Sequence, residues 1–370
     1  MSREIPVPLA RGRRRQRQLL GGSRLSPGEV VERAVALQGQ DLPAVLRAIA
    51  IRSRPGTTVD DVRRAFDTGH LVRSWPMRGT LFATTPGHLA TLLSLTAERT
   101  HRATTRRREQ LGLDDHTIGR ARDLLAEALQ ERPRTRGEAL ELWDTAGIAT
   151  ANGRGYHLLM HLAVDALIHW GRFAETGDQL LELTTTSPEA DPDAALAQVI
   201  RSYVAARGPV TLADLAWWTK LPKTQLRKAA ATIEDLVEVS VDSTASWILA
   251  DDQEPDSDAP GSGLPANETP QIDLVPGFDE WILGYADRSL VASPEALRAL
   301  VPGGNGVFRP AVLVDGVVVG TWKPPRKSAR KSGGARMSGG TVVELVEQVN
   351  RGTRARIDAA IEQWPHQTKA

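Results

Sequence analysis

No cysteine occurs anywhere in the 370 residues, which excludes disulfides, thiolate-bound zinc, iron–sulfur clusters and a thiol nucleophile. Nor do about 18 uncharged apolar residues run together at any point, so no membrane-spanning helix is expected. The basic run Arg11-Gly12-Arg13-Arg14-Arg15-Gln16-Arg17 lacks a following apolar stretch of secretory length, which argues against export. Histidines are few and scattered. His157 and His161 share an i, i+4 face in an apolar stretch expected to be helical from Tyr156 to His169, but no Glu stands where a zinc-protease helix would need one. They read as core or groove residues, and neither a metal nor another cofactor is expected.

What is present describes a globular chain. Hydrophobic residues make up 41% and charged residues 25%, and at about 100–200 residues per domain the length predicts two to four units. The net charge of +1 hides an asymmetry. Residues 1 to 110 hold 20 arginines, no lysine and 9 acidic residues, a local +11, while 26 basic against 36 acidic residues leave the remainder at −10. One part of the chain therefore suits a polyanion, although an arginine-rich solvated surface would give the same count.

Periodicity shows one arrangement three times: short amphipathic helices, then two strand-like segments joined by a turn. In the first, Ser26 and Glu29 form a capping pattern ahead of Val30, Val31, Ala34, Val35 and Leu37; Asp41 and Thr58 cap two more helices, and Leu71 to Thr84 turns at Gly79 as a hairpin. The second has helices at 118–130, 135–146 and 156–169, with Thr176-Gly177-Asp178 as its turn. The third has helices at 193–207, 211–219 and 224–235, with Asp242-Ser243 at its turn. Expected boundaries are a basic N-terminal arm (1–22), winged helix 1 (23–110), winged helix 2 (111–186), winged helix 3 (187–250), an acidic flexible linker (251–270) and a C-terminal α/β unit (271–370). In that last unit a strand pair turns at Asp315-Gly316, a basic tract runs from Lys323 to Arg336, and helices start at Val342 and Thr353. The fold class is α+β, mainly helical: three tandem winged-helix modules with a small C-terminal α/β unit.

A winged helix lays one helix in the major groove and sets its hairpin against the backbone or minor groove. Basic residues lie where that arrangement needs them. Arg13, Arg14 and Arg15 of the arm, Arg73 and Arg78 of the first hairpin, and Arg106 and Arg107 of the next basic segment are expected to meet phosphates, with Trp75 as a further DNA-facing candidate. Each has a plainer reading as well, Trp75 as a core anchor and the arginines as solvated charge.

Four segments carry a family resemblance: Leu37-Gln38-Gly39-Gln40-Asp41; Leu71 to Thr80 with Trp75-Pro76-Met77-Arg78-Gly79; Val275 to Arg288 with Phe278-Asp279-Glu280; and Phe308 to Trp322. Together they resemble the AlkZ-type bacterial DNA glycosylases over about residues 20 to 322. The resemblance implies three tandem winged helices around a duplex channel, excision of N7-alkylguanine adducts including interstrand crosslinks, and self-protection against alkylating natural products. The family's Gln-aliphatic-Gln/Asp catalytic motif falls on Gln38, Gly39 and Gln40, with glycine here in the aliphatic position. The expected partner is then duplex DNA carrying alkylated purines, bound by a monomer that is cytoplasmic and nucleoid-associated.

The chemistry suits those residues. An N7-alkylated purine is already cationic, so its glycosidic bond breaks with little need of a general acid and leaves an oxocarbenium-like sugar awaiting water. Glutamine carbonyls can orient that water and stabilise the developing charge. Gly39 would let the chain leave the helix after Leu37, so that Gln38 and Gln40 point the same way along an extended link. Asp279, Glu280 and Asp287 fit caps or salt bridges better than a catalytic carboxylate pair. Without the resemblance, two glutamines around a glycine are ordinary junction residues. A silent winged-helix regulator and a protein that sequesters an alkylating agent then remain open readings.

Overall fold

Local capping chemistry sets where helices begin. In the computed structural model, which describes residues 3–186, 191–252, 269–323 and 341–363, Ser26, Thr58, Thr135 and Thr211 each accept from the amide three residues on, and the acid there returns a bond to the cap's own amide. The chain opens with β1 (Arg3–Ile5) and α1 (Val7–Arg17). A first group follows: α2 (Pro27–Ala34), β2 (Ala36–Gln38), α3 (Leu42–Ala50), α4 (Val59–Asp67) and the hairpin β3 (Val72–Met77) and β4 (Thr80–Thr84). The long α5 (Pro86–Gln110) leads to a second: α6 (Asp115–Glu131), β5 (Arg134–Thr135), α7 (Arg136–Thr145), α8 (Arg154–Val164), β6 (Ile168–Phe173) and β7 (Gln179–Leu183). The third comprises α9 (Pro192–Arg207), α10 (Leu212–Thr219), α11 (Lys223–Ala230), β8 (Leu236–Val241) and β9 (Thr244–Leu249). The last comprises β10 (Ile272–Val275), α12 (Glu280–Leu283), α13 (Pro294–Leu300), β11 (Ala311–Val314), β12 (Val317–Lys323), β13 (Val342–Leu345) and α14 (Arg351–Gln363).

The class is α+β, with helices the larger share. Three helical groups each end in a hairpin, and the expected turns sit at Arg78-Gly79, Asp242-Ser243 and Asp315-Gly316, where both central residues take positive φ as a tight hairpin requires. The first two hairpins are not separate wings. β2-β4-β3-β6-β7-β5 form one six-stranded sheet, with Arg73 opposite Trp170 joining the first two groups. β1 adds in parallel to β8, and β10 to β13 make a four-stranded sheet. Among the described residues no helix is long and apolar enough to cross a membrane.

Several expectations are corrected. Residues 3–17 are not a free arm: Ile5 and Ala10 are buried in a cluster with Val239, Val241 and Ile248, and β1 pairs along β8. α2 ends at Ala34 rather than running to Leu37, since Val35 adopts φ +65° and turns the chain into β2. α8 stops at Val164, which leaves His169 on β6. Val342–Leu345 is a strand paired to β12, not a helix, as its alternating exposure fits. Most of the expected linker (253–268) and of the basic tract (324–336) lies outside the described residues.

A core centred on Tyr203 and Trp218 draws in Val35, Ala36, Met77 and Phe82 from the first group and Tyr285 from the last. The Gln-Gly-Gln segment sits on this junction.

Candidate active site

β2 pairs antiparallel with β4, Leu37 opposite Ala83 and Gln38 opposite Phe82, and Gly39 extends the ladder by donating to Leu81 O at 2.7 Å. Alternation buries Leu37 in the core of the first group and sends Gln38 and Gln40 to the other face. Both amide oxygens are fixed from the start of β4. Gln38 Oε1 accepts from Thr80 Oγ1 at 3.5 Å, and Gln40 Oε1 from the Leu81 amide at 3.3 Å. A carbonyl oxygen has two lone pairs, so each keeps an acceptor site for water. Gln38 is 6% exposed and Gln40 is open to solvent. Gly39 is there for space: a Cβ would lie 2.9 Å from Ala83 N and 3.0 Å from Phe82 C, closer than side chains approach backbone.

Two charged side chains hold the segment from behind. Arg73 donates to Gly39 O (2.7 Å), Gln40 O (3.4 Å) and Gln179 Oε1 (3.1 Å). Burial, partly opposed by Asp41, lowers its guanidinium to about 10. Glu280, 2% exposed at the start of α12, accepts the Gln38 amide at 3.1 Å through Oε1, while Oε2 takes Arg207 Nη2 at 3.0 Å and Trp218 Nε1 at 3.2 Å. Asp279 caps α12 and pairs with buried Arg52 at 2.7 Å. These are the cap and ion-pair roles expected of the two acids. The tie from Glu280 to the motif's backbone was not read from the sequence; its only signal there was the shared family segment, 242 residues away.

The expected DNA-facing residues divide. Trp75 is 2% exposed, edge-on to Trp170 and Tyr156, and so belongs to the core rather than to a DNA surface. Arg14 is buried, donating to Pro209 O at 2.9 Å beside Asp214 and lying 4.0 Å from the Tyr285 ring centre. Arg15 is held bidentately by Asp273 at 2.6 and 2.9 Å. Arg73 is committed to the Gln segment. The three arginines were expected at phosphates and Trp75 at the DNA, and all four are taken up internally, because partners remote in sequence neutralise or bury them. Arg106 and Arg107 stand exposed on α5, Arg13 is half-buried, and Arg78 at the β3–β4 turn donates to Leu283 O at 3.3 Å.

Elsewhere, His101 Nε2 meets Asp165 at 2.7 Å and His161 Nε2 meets it at 3.6 Å, between α5 and α8, in ligand-like proximity. Arg122 also pairs with Asp165, and Arg108 lines the same small cavity, so the carboxylate is already matched by cations. An ion-pair cluster accounts for this geometry.

A family model described as DNA glycosylase AlkZ-like matches residues 31–365. The chain is 27% identical over 342 residues to the interstrand DNA cross-link repair glycosylase of Streptomyces sahachiroi, covering 84% of this chain and 85% of that protein. The solved structure of the Streptomyces sahachiroi DNA glycosylase AlkZ has a TM-score of 0.77 to this fold at 23% identity, covering 98% of this chain and 97% of that one.

Proposed function

Because the chain belongs to the AlkZ-like DNA glycosylase family, we propose that it hydrolyses the N-glycosidic bond of N7-alkylated purines in duplex DNA, unhooks interstrand crosslinks built on such adducts, and serves repair or self-resistance to a genotoxic natural product. The observation that carries this reading is the pair of amide oxygens of Gln38 and Gln40, aimed to one side of an extended link and fixed by Thr80 and Leu81. The three helix-and-hairpin groups act as tandem winged helices on a monomer, with exposed Arg106 and Arg107 and half-buried Arg13 toward phosphates.

In this scheme the C1′–N9 bond breaks first and its electron pair goes to the cationic purine, which leaves neutral. Water held by the two Gln carbonyls adds to C1′ and its proton passes to solvent. The carbonyl dipoles face the positive charge that develops on the sugar. Glu280 and Arg73 touch only the segment's backbone and are positioning residues.

The test is incubation with two duplexes, one bearing a single N7-methylguanine and one a nitrogen-mustard crosslink between N7 atoms. Alkali-labile cleavage of the first and conversion of the second to separable strands, both above the spontaneous rate, are expected. Cleavage of the monoadduct with an intact crosslink would withdraw the unhooking step, and no cleavage of either would withdraw the substrate class.

A further inference from the structure

Trp217, at the end of α10, carries three cations on one ring. Lys220 Nζ lies 3.7 Å from the ring centre, Arg78 Cζ 5.0 Å and Arg288 Cζ 5.7 Å, all within cation–π range. Each comes from a different part of the chain: the first hairpin, the third helical group and the loop after α12. Arg288 also lies 5.5 Å from the Phe308 ring centre.

None of the three forms an ion pair among the described residues. Glu280 attracts Arg78 and Asp287 attracts Arg288 at longer range, but their direct bonds go elsewhere, Glu280 to Arg207 and Asp287 to Ser289. Burial first, and then proximity to Arg78, lowers the pKa of both Lys220 and Arg288. Each cation–π contact is favourable alone, but three like charges around one ring repel one another, a cost that a bound anion offsets.

Backbone bonds fix the arrangement. Trp217 Nε1 and Arg78 both donate to Leu283 O, each at 3.3 Å, and Arg288 Nε donates to Ile282 O at 2.8 Å. Arg78 sits in the β3–β4 turn and Lys220 at the left-handed C-cap of α10, so ordinary turn and cap geometry places both. The cluster adjoins the Gln segment, since Thr80, two residues from Arg78, donates to Gln38.

We infer that Arg78, Lys220 and Arg288, set on Trp217, bind a single phosphodiester of the DNA backbone beside the nucleotide whose base is removed. The inference rests on the glycosylase reading. A phosphate held there would fix the target sugar relative to Gln38 and Gln40, using residues from three separate groups that come together only in the folded chain.

The test is binding, so it does not depend on base release. Lys220 is exposed and Lys220→Ala leaves the core untouched. Its affinity for undamaged duplex is expected to fall about tenfold at 0.1 M salt, and the slope of log K against log salt to shrink by about 0.9, the value for one lost phosphate contact. In lesion-bearing duplexes with one neutral methylphosphonate at successive linkages, a linkage flanking the lesion should weaken wild type about tenfold and Lys220→Ala by clearly less, the remainder being the share of Arg78 and Arg288. An unchanged salt slope, or no linkage whose neutralisation couples to Lys220, would overturn the inference whether or not the protein excises bases. Coupling without any base release would leave the phosphate site standing and remove the glycosylase reading instead.

Discussion

Arg73 Nε lies 2.7 Å from the carbonyl oxygen of Gly39, and the same guanidinium reaches Gln40 O and Gln179. An arginine expected at the DNA backbone thus holds the backbone of the proposed catalytic segment. Arg73→Met should lower kcat for N7-methylguanine release by about tenfold, because misplacing catalytic groups by a fraction of an ångström is costly, while duplex affinity changes little. Single-turnover rates alongside affinity measurements separate the two; a loss confined to affinity would return Arg73 to the phosphates.

Gly39 has no room for a side chain. With a Cβ 2.9 Å from Ala83 N, Gly39→Ala must push β2 away from β4. The expected cost is about 1–3 kcal/mol in urea unfolding, with a lower kcat. A variant of unchanged stability would show that the strand pair yields freely.

Trp75 anchors the core. Trp75→Ala should destabilise by about 3–5 kcal/mol. The milder Trp75→Phe removes an indole N–H that has no partner among the described residues, and should leave the salt dependence of DNA binding as in wild type. A reduced salt slope in Trp75→Phe would place this residue at the DNA after all.

Stability should fall in acid through His161. Burial lowers its pKa to about 4 from an ordinary 6.5, and His101, Arg108 and Arg122 add to the effect against the opposing pull of Asp165. Its side chain is only 16% exposed. The unfolded chain takes up this proton first, so the contribution is complete above pH 6.5 and is lost as pH falls through about 4. Burial pushes Asp165 up, but its bond to His101 and the cations around it hold it low on balance, so its contribution is also lost in acid. Urea midpoints at pH 7 and 4.5 should differ less in His161→Gln than in wild type, and equal differences would contradict this assignment.

Local chemistry was legible and long-range pairing was not. The capping residues at Ser26, Asp41 and Thr58 and the hairpin turns at Asp242 and Asp315 depend on neighbours within a few positions, and the sequence locates them. Arg14 and Arg106 look alike as letters in basic runs. Only Pro209, Asp214 and Tyr285, about 200 or more positions away, make the first a core residue and leave the second in solvent. The extended form of the Gln segment was foreseen from Gly39, but not that Val35 would start the strand or that Glu280 would hold it, because strand pairing and buried ion pairs join residues far apart in sequence.

The central claim is that the amide oxygens of Gln38 and Gln40 act at the glycosidic bond. Its most direct test is the single-turnover rate of N7-methylguanine release for wild type, Gln38→Ala and Gln40→Ala, measured with duplex affinity and unfolding midpoint on the same preparations. Each substitution should slow release by about 10²–10³-fold, the scale for losing one preorganised polar group, with affinity within about threefold and the fold intact. Release at the wild-type rate in both variants, with DNA bound and the fold unchanged, would contradict the claim and move the chemistry away from this segment.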